Sequence, residues 1–197
     1  MEVTRRGSLM LGGACALAAC TPVRPASNLR PADSLDSLAR RTGRRFGSAV
    51  SWSPPNADRG SFANPAYASI LERECGVLVP ENELKWQWTR RNEGQFEFKS
   101  FDAIADYATS HNFLLRGHTL FWTPTQWYPE WLKTHDFGAR PASAAAAMLT
   151  EHVQTVARRY GKRIYSYDVV NEAVQPETGE IRDTVVTKAM GAKPSLI

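Results

Sequence analysis

Apolar residues recur along this chain in two alternating rhythms, one of helical period and one of short continuous runs. Between residues 34 and 41, Leu35, Leu38 and Ala39 fall at helical spacing, with Gly43 as a stop. Phe46-Gly47-Ser48-Ala49-Val50 reads as a short strand. Asn64-Pro65 supplies a cap and a first-turn proline for a helix whose apolar face is Tyr67, Ile70, Leu71 and Cys75. Val77-Leu78-Val79 is the next strand. Ser100 opens a helix carrying Phe101, Ile104, Ala105 and Ala108, and Phe113-Leu114-Leu115 is a third strand. The longest helix covers residues 143–160, with Met148, Leu149, His152, Val153, Val156 and Tyr160 on one side and Gly161 as its cap. A fourth strand spans residues 164–170.

Short apolar strands separated by amphipathic helices predict βαβ units and a parallel sheet, hence an α/β fold. Two architectures fit that order. A Rossmann-type sheet would carry a Gly-rich turn between a strand and a helix, and none of the turns here has one. A (β/α) barrel builds its active face from the loops that follow its strands, and those loops are long and aromatic here. All six tryptophans (positions 52, 86, 88, 122, 127 and 131) lie in such segments.

Composition changes this picture little. With 43% hydrophobic and 22% charged residues, the chain is an ordinary globular one. Its net charge of +4 is spread over pairs such as Arg40-Arg41 and Arg158-Arg159, which argues against a nucleic-acid footprint. The N-terminus differs. Thr4-Arg5-Arg6-Gly7-Ser8-Leu9 is a twin-arginine basic region, followed by an apolar stretch too short to span a bilayer. Residues 1–19 are therefore expected to be an export signal, with a periplasmic or cell-surface destination in a bacterium. Leu17-Ala18-Ala19-Cys20 resembles a lipobox, so Cys20 is expected to carry a lipid and attach the protein to a membrane. Residues 20–33, rich in proline, suit a tether, and residues 34–197 are the domain. Cys75 is then the one mature thiol, expected to be buried and structural.

The chemistry sits in three blocks. Tyr167-Asp168-Val169-Val170-Asn171-Glu172-Ala173 is an apolar strand that delivers a carboxylate, Glu172, at its C-terminal end, where a barrel presents a catalytic acid. Glu81, Asn82 and Lys85 follow the second strand and offer an acceptor, a mixed group and a cation to several hydroxyls of one sugar. Arg116-Gly117-His118-Thr119-Leu120-Phe121-Trp122 follows the third, pairing an imidazole with an indole whose face suits a pyranose ring. Trp88, Trp127 and Trp131 read as packing for the loops.

Together these blocks resemble glycoside hydrolase family 10, the endo-1,4-β-xylanases, over roughly residues 34–191. The resemblance implies an eight-stranded (β/α) barrel, the TIM barrel, of which this chain holds about the first four βα units. It implies retaining hydrolysis of xylan, with Glu172 as general acid/base and Asn171 on the 2-hydroxyl beside the scissile bond. Glu81, Asn82, Lys85, His118 and Trp122 match residues lining the sugar subsites on the non-reducing side. No cofactor, metal or protein partner is expected, only xylan or xylo-oligosaccharides. Two departures stand out: Thr123-Pro124-Thr125-Gln126 replaces a usual His-Ser-Gln, and Tyr167 stands where Trp is common. The nucleophile belongs to a late strand of the family, and no residue of this chain matches it. Truncated in this way, the chain is expected to be a xylanase form without its nucleophile. The alternative is a non-catalytic, lipid-anchored xylan-binding protein.

Overall fold

The computed structural model describes residues 30–54 and 60–191. The expected export signal, Cys20 and most of the tether lie outside the described residues. Four parallel strands, β1 (Gly47–Val50), β2 (Val77–Pro80), β3 (Leu114–Gly117) and β5 (Ile164–Tyr167), form one sheet in the order β1-β2-β3-β5. Sequential neighbours with helices between them are the βαβ pattern that the apolar runs predict. A second pair, β4 (Phe121–Trp122) and β6 (Val170–Asn171), continues β3 and β5 beyond a break, again in parallel. The expected fourth strand is thus two pieces, interrupted at Asp168 and Val169.

The helices pack on one face of the sheet. Val50, Leu78, Leu115 and Ile164 meet Leu71 and Cys75 of α2 (Pro65–Glu74), Phe101, Ile104 and Ala105 of α4 (Lys99–Ser110), and Val156 and Tyr160 of α6 (Pro141–Tyr160). Each fully buried Leu, Ile or Phe contributes roughly 1.5–3 kcal/mol to this layer. A second apolar cluster of Trp86, Phe121, Tyr128, Leu132, Phe137, Ala145 and Val186 lies beneath the loops after β2 and β3, which carry the short helices α3 (Trp86–Thr89) and α5 (Glu130–Lys133). It is closed by α7 (Val185–Met190), whose N-terminus is a Thr184/Thr187 capping box. Gly161 ends α6 at φ +49°, the left-handed geometry its glycine permits.

Two helix faces differ from their predicted ones. In α1 (Leu35–Arg40), Leu35 and Leu38 face solvent and Asp36 is buried. The Asp36 carboxylate accepts from the Phe46 N–H at 3.1 Å and pairs with Arg40 at 2.7 Å, so its burial is matched by donors. In α2, Asn64 caps and Pro65 occupies the first turn as expected, but Ile70 points outward while Ala68 takes the inner place. Cys75 is buried and free, and burial raises its thiol pKa.

Candidate active site

The expected site residues among the described ones lie at or just past the C-terminal end of a strand, except Lys85, which caps the short helix Trp86–Thr89 in the loop after β2. Glu81 and Asn82 follow β2, His118 follows β3, and Trp122 and Asn171 face each other across the β4–β6 pair. Glu81, Asn82, Arg116 and His118 line an open cleft of about 550 Å³ with Ala49 and Val79 as its floor. Lys85, Trp122, Asn171 and Glu172 stand outside that lining.

Each side chain is held by a partner from a different loop. Ser51 donates to the Glu81 carboxylate at 2.6 Å. The Lys85 ammonium donates to Asn82 Oδ1 at 3.1 Å and stands 3.9 Å from the centroid of the Trp122 ring. Burial lowers the Lys85 pKa, and the negative charges of Glu172, Glu81 and Glu83 oppose that shift. One cation therefore senses both the expected acid, Glu172, and the carboxylate expected to bind sugar, Glu81.

Several supporting residues carry no expected role. The buried Glu83 carboxylate accepts the N–H groups of Trp52 at 2.6 Å and Asn82 at 3.0 Å, tying the loops after β1 and β2 together. Asp168 pairs with Arg116 through one oxygen and with His118 Nδ1 at 2.8 Å through the other. A carboxylate partner favours a proton on Nδ1 and fixes the orientation of the His118 ring. Gly117 lets the Tyr167 ring of β5 pack against β3, because a Cβ there would lie 2.4 Å from that ring. Trp86 is buried and donates its indole N–H to the Leu120 carbonyl at 2.6 Å, so it anchors the loop behind His118.

Glu172 has φ +55°, a left-handed conformation unusual for a residue with a side chain. Its carbonyl is gripped twice, by the Thr123 hydroxyl at 2.5 Å and by Arg182 Nε at 2.8 Å. Thr123 also bonds the Asn171 carbonyl through its N–H and its hydroxyl, both at 3.2 Å. The departure from the usual tryptophan block thus lies directly against the Asn-Glu pair. Glu172 is exposed. Of the loop tryptophans, Trp131 packs on Trp86 and donates to the Arg90 carbonyl at 2.9 Å, whereas Trp127 is half exposed. No cluster of metal-binding side chains occurs among the described residues.

Comparison with known proteins gives a consistent set of relatives. A family model described as glycosyl hydrolase family 10 matches residues 34–194. Endo-1,4-β-xylanase 2 of Claviceps purpurea is 34% identical over 176 residues, which is 89% of this chain and 49% of that protein. Endo-1,4-β-xylanase 3 of Hypocrea jecorina is 32% identical over 159 residues, covering 80% of this chain and 42% of that protein. The crystal structure of xylanase 10B from Thermotoga petrophila RKU-1 in complex with xylobiose matches with a TM-score of 0.71 at 26% identity, covering 83% of this chain and 46% of that one. The chain spans about half the length of the curated relatives it matches.

Proposed function

This chain belongs to glycosyl hydrolase family 10, and on that premise we propose that it carries the sugar-binding and acid/base half of an endo-1,4-β-xylanase. Its strands and helices correspond to four βα units of the family's eight-stranded (β/α) barrel. The observation that carries the reading is the register Trp122↔Asn171 beside Glu172, with Lys85 reaching over Trp122 to Asn82. Indole, amides, ammonium and carboxylate meet there as a pyranose and its scissile bond require.

In this reading Glu172 is the acid that protonates the glycosidic oxygen of a β-1,4-xylosidic bond and the base that later takes a proton from the attacking water, the glycosyl group being carried between the two steps by a carboxylate that is not among the described residues. Asn171 holds the 2-hydroxyl, while Glu81, Asn82, Lys85, His118 and Trp122 hold the sugars on the non-reducing side. Retention needs a second carboxylate roughly 5 Å from the first. Glu83 is occupied by two backbone N–H groups and Glu81 by Ser51, so we assign no nucleophile within the described residues.

The non-catalytic reading draws support from the same engaged carboxylates: a cleft that binds xylo-oligosaccharides without cleaving them. An NMR titration of the whole chain with xylotriose tests both. Shifts at the Trp122 indole and at the Asn82 and Asn171 amides support the site, and their absence refutes it. Product formation abolished by Glu172→Gln selects hydrolysis over binding alone. Export and lipid attachment at Cys20 are a separate proposal. A lipid-sized mass increment lost in Cys20→Ser would support it, and an unmodified N-terminus would refute it.

A further inference from the structure

The Trp127 indole contributes little to the core, yet it is held firmly. It ends a 3-10 turn spanning Thr125–Trp127. The turn is closed by the Trp127 N–H on the Pro124 carbonyl and the Tyr128 N–H on the Thr125 carbonyl, both at 3.0 Å. Tyr128, buried in the second apolar cluster, anchors the segment from below. The Trp127 ring lies parallel to Trp122, with 9° between planes and 5.6 Å between centroids. Half of the residue, 50%, remains in solvent, as one covered face and one open face would leave it.

Trp122 itself is partly occupied, because the Lys85 ammonium stands over its ring. Trp127 therefore offers a flat apolar surface that is both open and aligned with an expected sugar-binding indole. It also lies four residues after Thr123, which touches the carbonyls of Asn171 and Glu172. We propose that Trp127 is a further sugar-stacking platform, adding one pyranose subsite beside Trp122 for a β-1,4-linked oligosaccharide. The proposal rests on the sugar-binding reading above and assigns to Trp127 a role other than loop packing. It falls in the Thr123-Pro124-Thr125-Gln126 region where the chain departs from the usual family pattern, so it makes chain-length preference a property of this protein.

The test is calorimetric affinity of the whole chain for xylobiose and for xylohexaose, with Trp127→Ala and Trp127→Phe alongside. Loss of one stacking face is expected to weaken xylohexaose binding about 3- to 10-fold in Trp127→Ala, with xylobiose changed less than about twofold. Trp127→Phe keeps an aromatic face and most of the affinity, and the thermal midpoints of both variants match that of the parent. Unchanged xylohexaose affinity in Trp127→Ala overturns the proposal, as does an equal loss for both sugars. A parent chain that binds neither sugar overturns the proposal and the sugar-binding reading together. Binding that ignores Trp127 overturns the platform alone.

Discussion

His152 should make this protein sensitive to mild acid. Its imidazole is fully buried in α6, stacked 4.4 Å from the Trp86 ring and 5.8 Å from the Phe96 ring. Neither ring nitrogen has a hydrogen-bond partner among the described residues. Desolvation, and then the positive charge of Arg90, push its pKa down from 6.5 to about 3. Arg90 is itself buried, and the carboxylate it meets, Glu151, is turned largely to solvent. The folded state therefore keeps His152 neutral, while the unfolded chain takes up a proton below 6.5. Because the unfolded state binds more protons in that window, the stability present above pH 6.5 falls as pH drops towards 3. Each pH unit well inside the window costs about 1.4 kcal/mol, so the step from pH 7 to pH 5 costs about 2 kcal/mol. His152→Leu keeps an apolar side chain against Trp86 and removes the proton site. Urea unfolding at pH 7, 6 and 5 should then show the variant losing about 2 kcal/mol less than the parent over that range. Equal pH slopes in the two proteins would refute the reasoning.

Three further substitutions probe the scaffold and the site. Gly47→Ala places a Cβ 2.3 Å from the Val77 carbonyl oxygen, a backbone atom of the neighbouring strand. It should cost about 1–3 kcal/mol and loosen amide protection across β1 and β2, and an unchanged unfolding midpoint would contradict this. Thr123→Val removes the hydroxyl that grips the Asn171 and Glu172 carbonyls. A loss of about 1 kcal/mol is expected, with Thr123→Ser close to the parent and backbone shifts at Glu172 marking release of its left-handed conformation. Asp168→Asn removes the charge shared by Arg116 and His118. The partly exposed pair limits the stability loss to about 1 kcal/mol, but nitrogen NMR should show His118 losing its Nδ1–H preference. A tautomer that does not move would show that Asp168 does not set it.

What could be read from the sequence divides along physical lines. The four strands of the sheet were legible because buried parallel strands must be continuous apolar runs, and Val77-Leu78-Val79 has no other use. The order β1-β2-β3-β5 follows from the helices between them. The inward face of α1 was not legible, because it depends on a distant donor: Asp36 turns in to meet the Phe46 N–H, and Leu35 and Leu38 turn out. The β4–β6 pair escaped for the same reason, since two-residue strands have no period and exist only through their partner.

The site shows the same division more sharply. Glu81, Asn82 and His118 reach one cleft because each follows a strand, a relation that local sequence can express. Glu83 and Asp168 look like any other acidic residues in a line of letters. They become supports because one meets the Trp52 N–H from the preceding loop and the other meets His118 from the preceding strand. The tryptophans set the hardest case. Six indoles occupy similar loops, and composition cannot say which ring is a beam and which is a surface. Trp86 is a beam, because its N–H is spent on the Leu120 carbonyl in the interior. Trp127 is the proposed surface, because its ring lies parallel to Trp122 and half of the residue remains in solvent. Solvent exposure at fixed orientation separates binding aromatics from packing aromatics, and it is a property of the assembled loops.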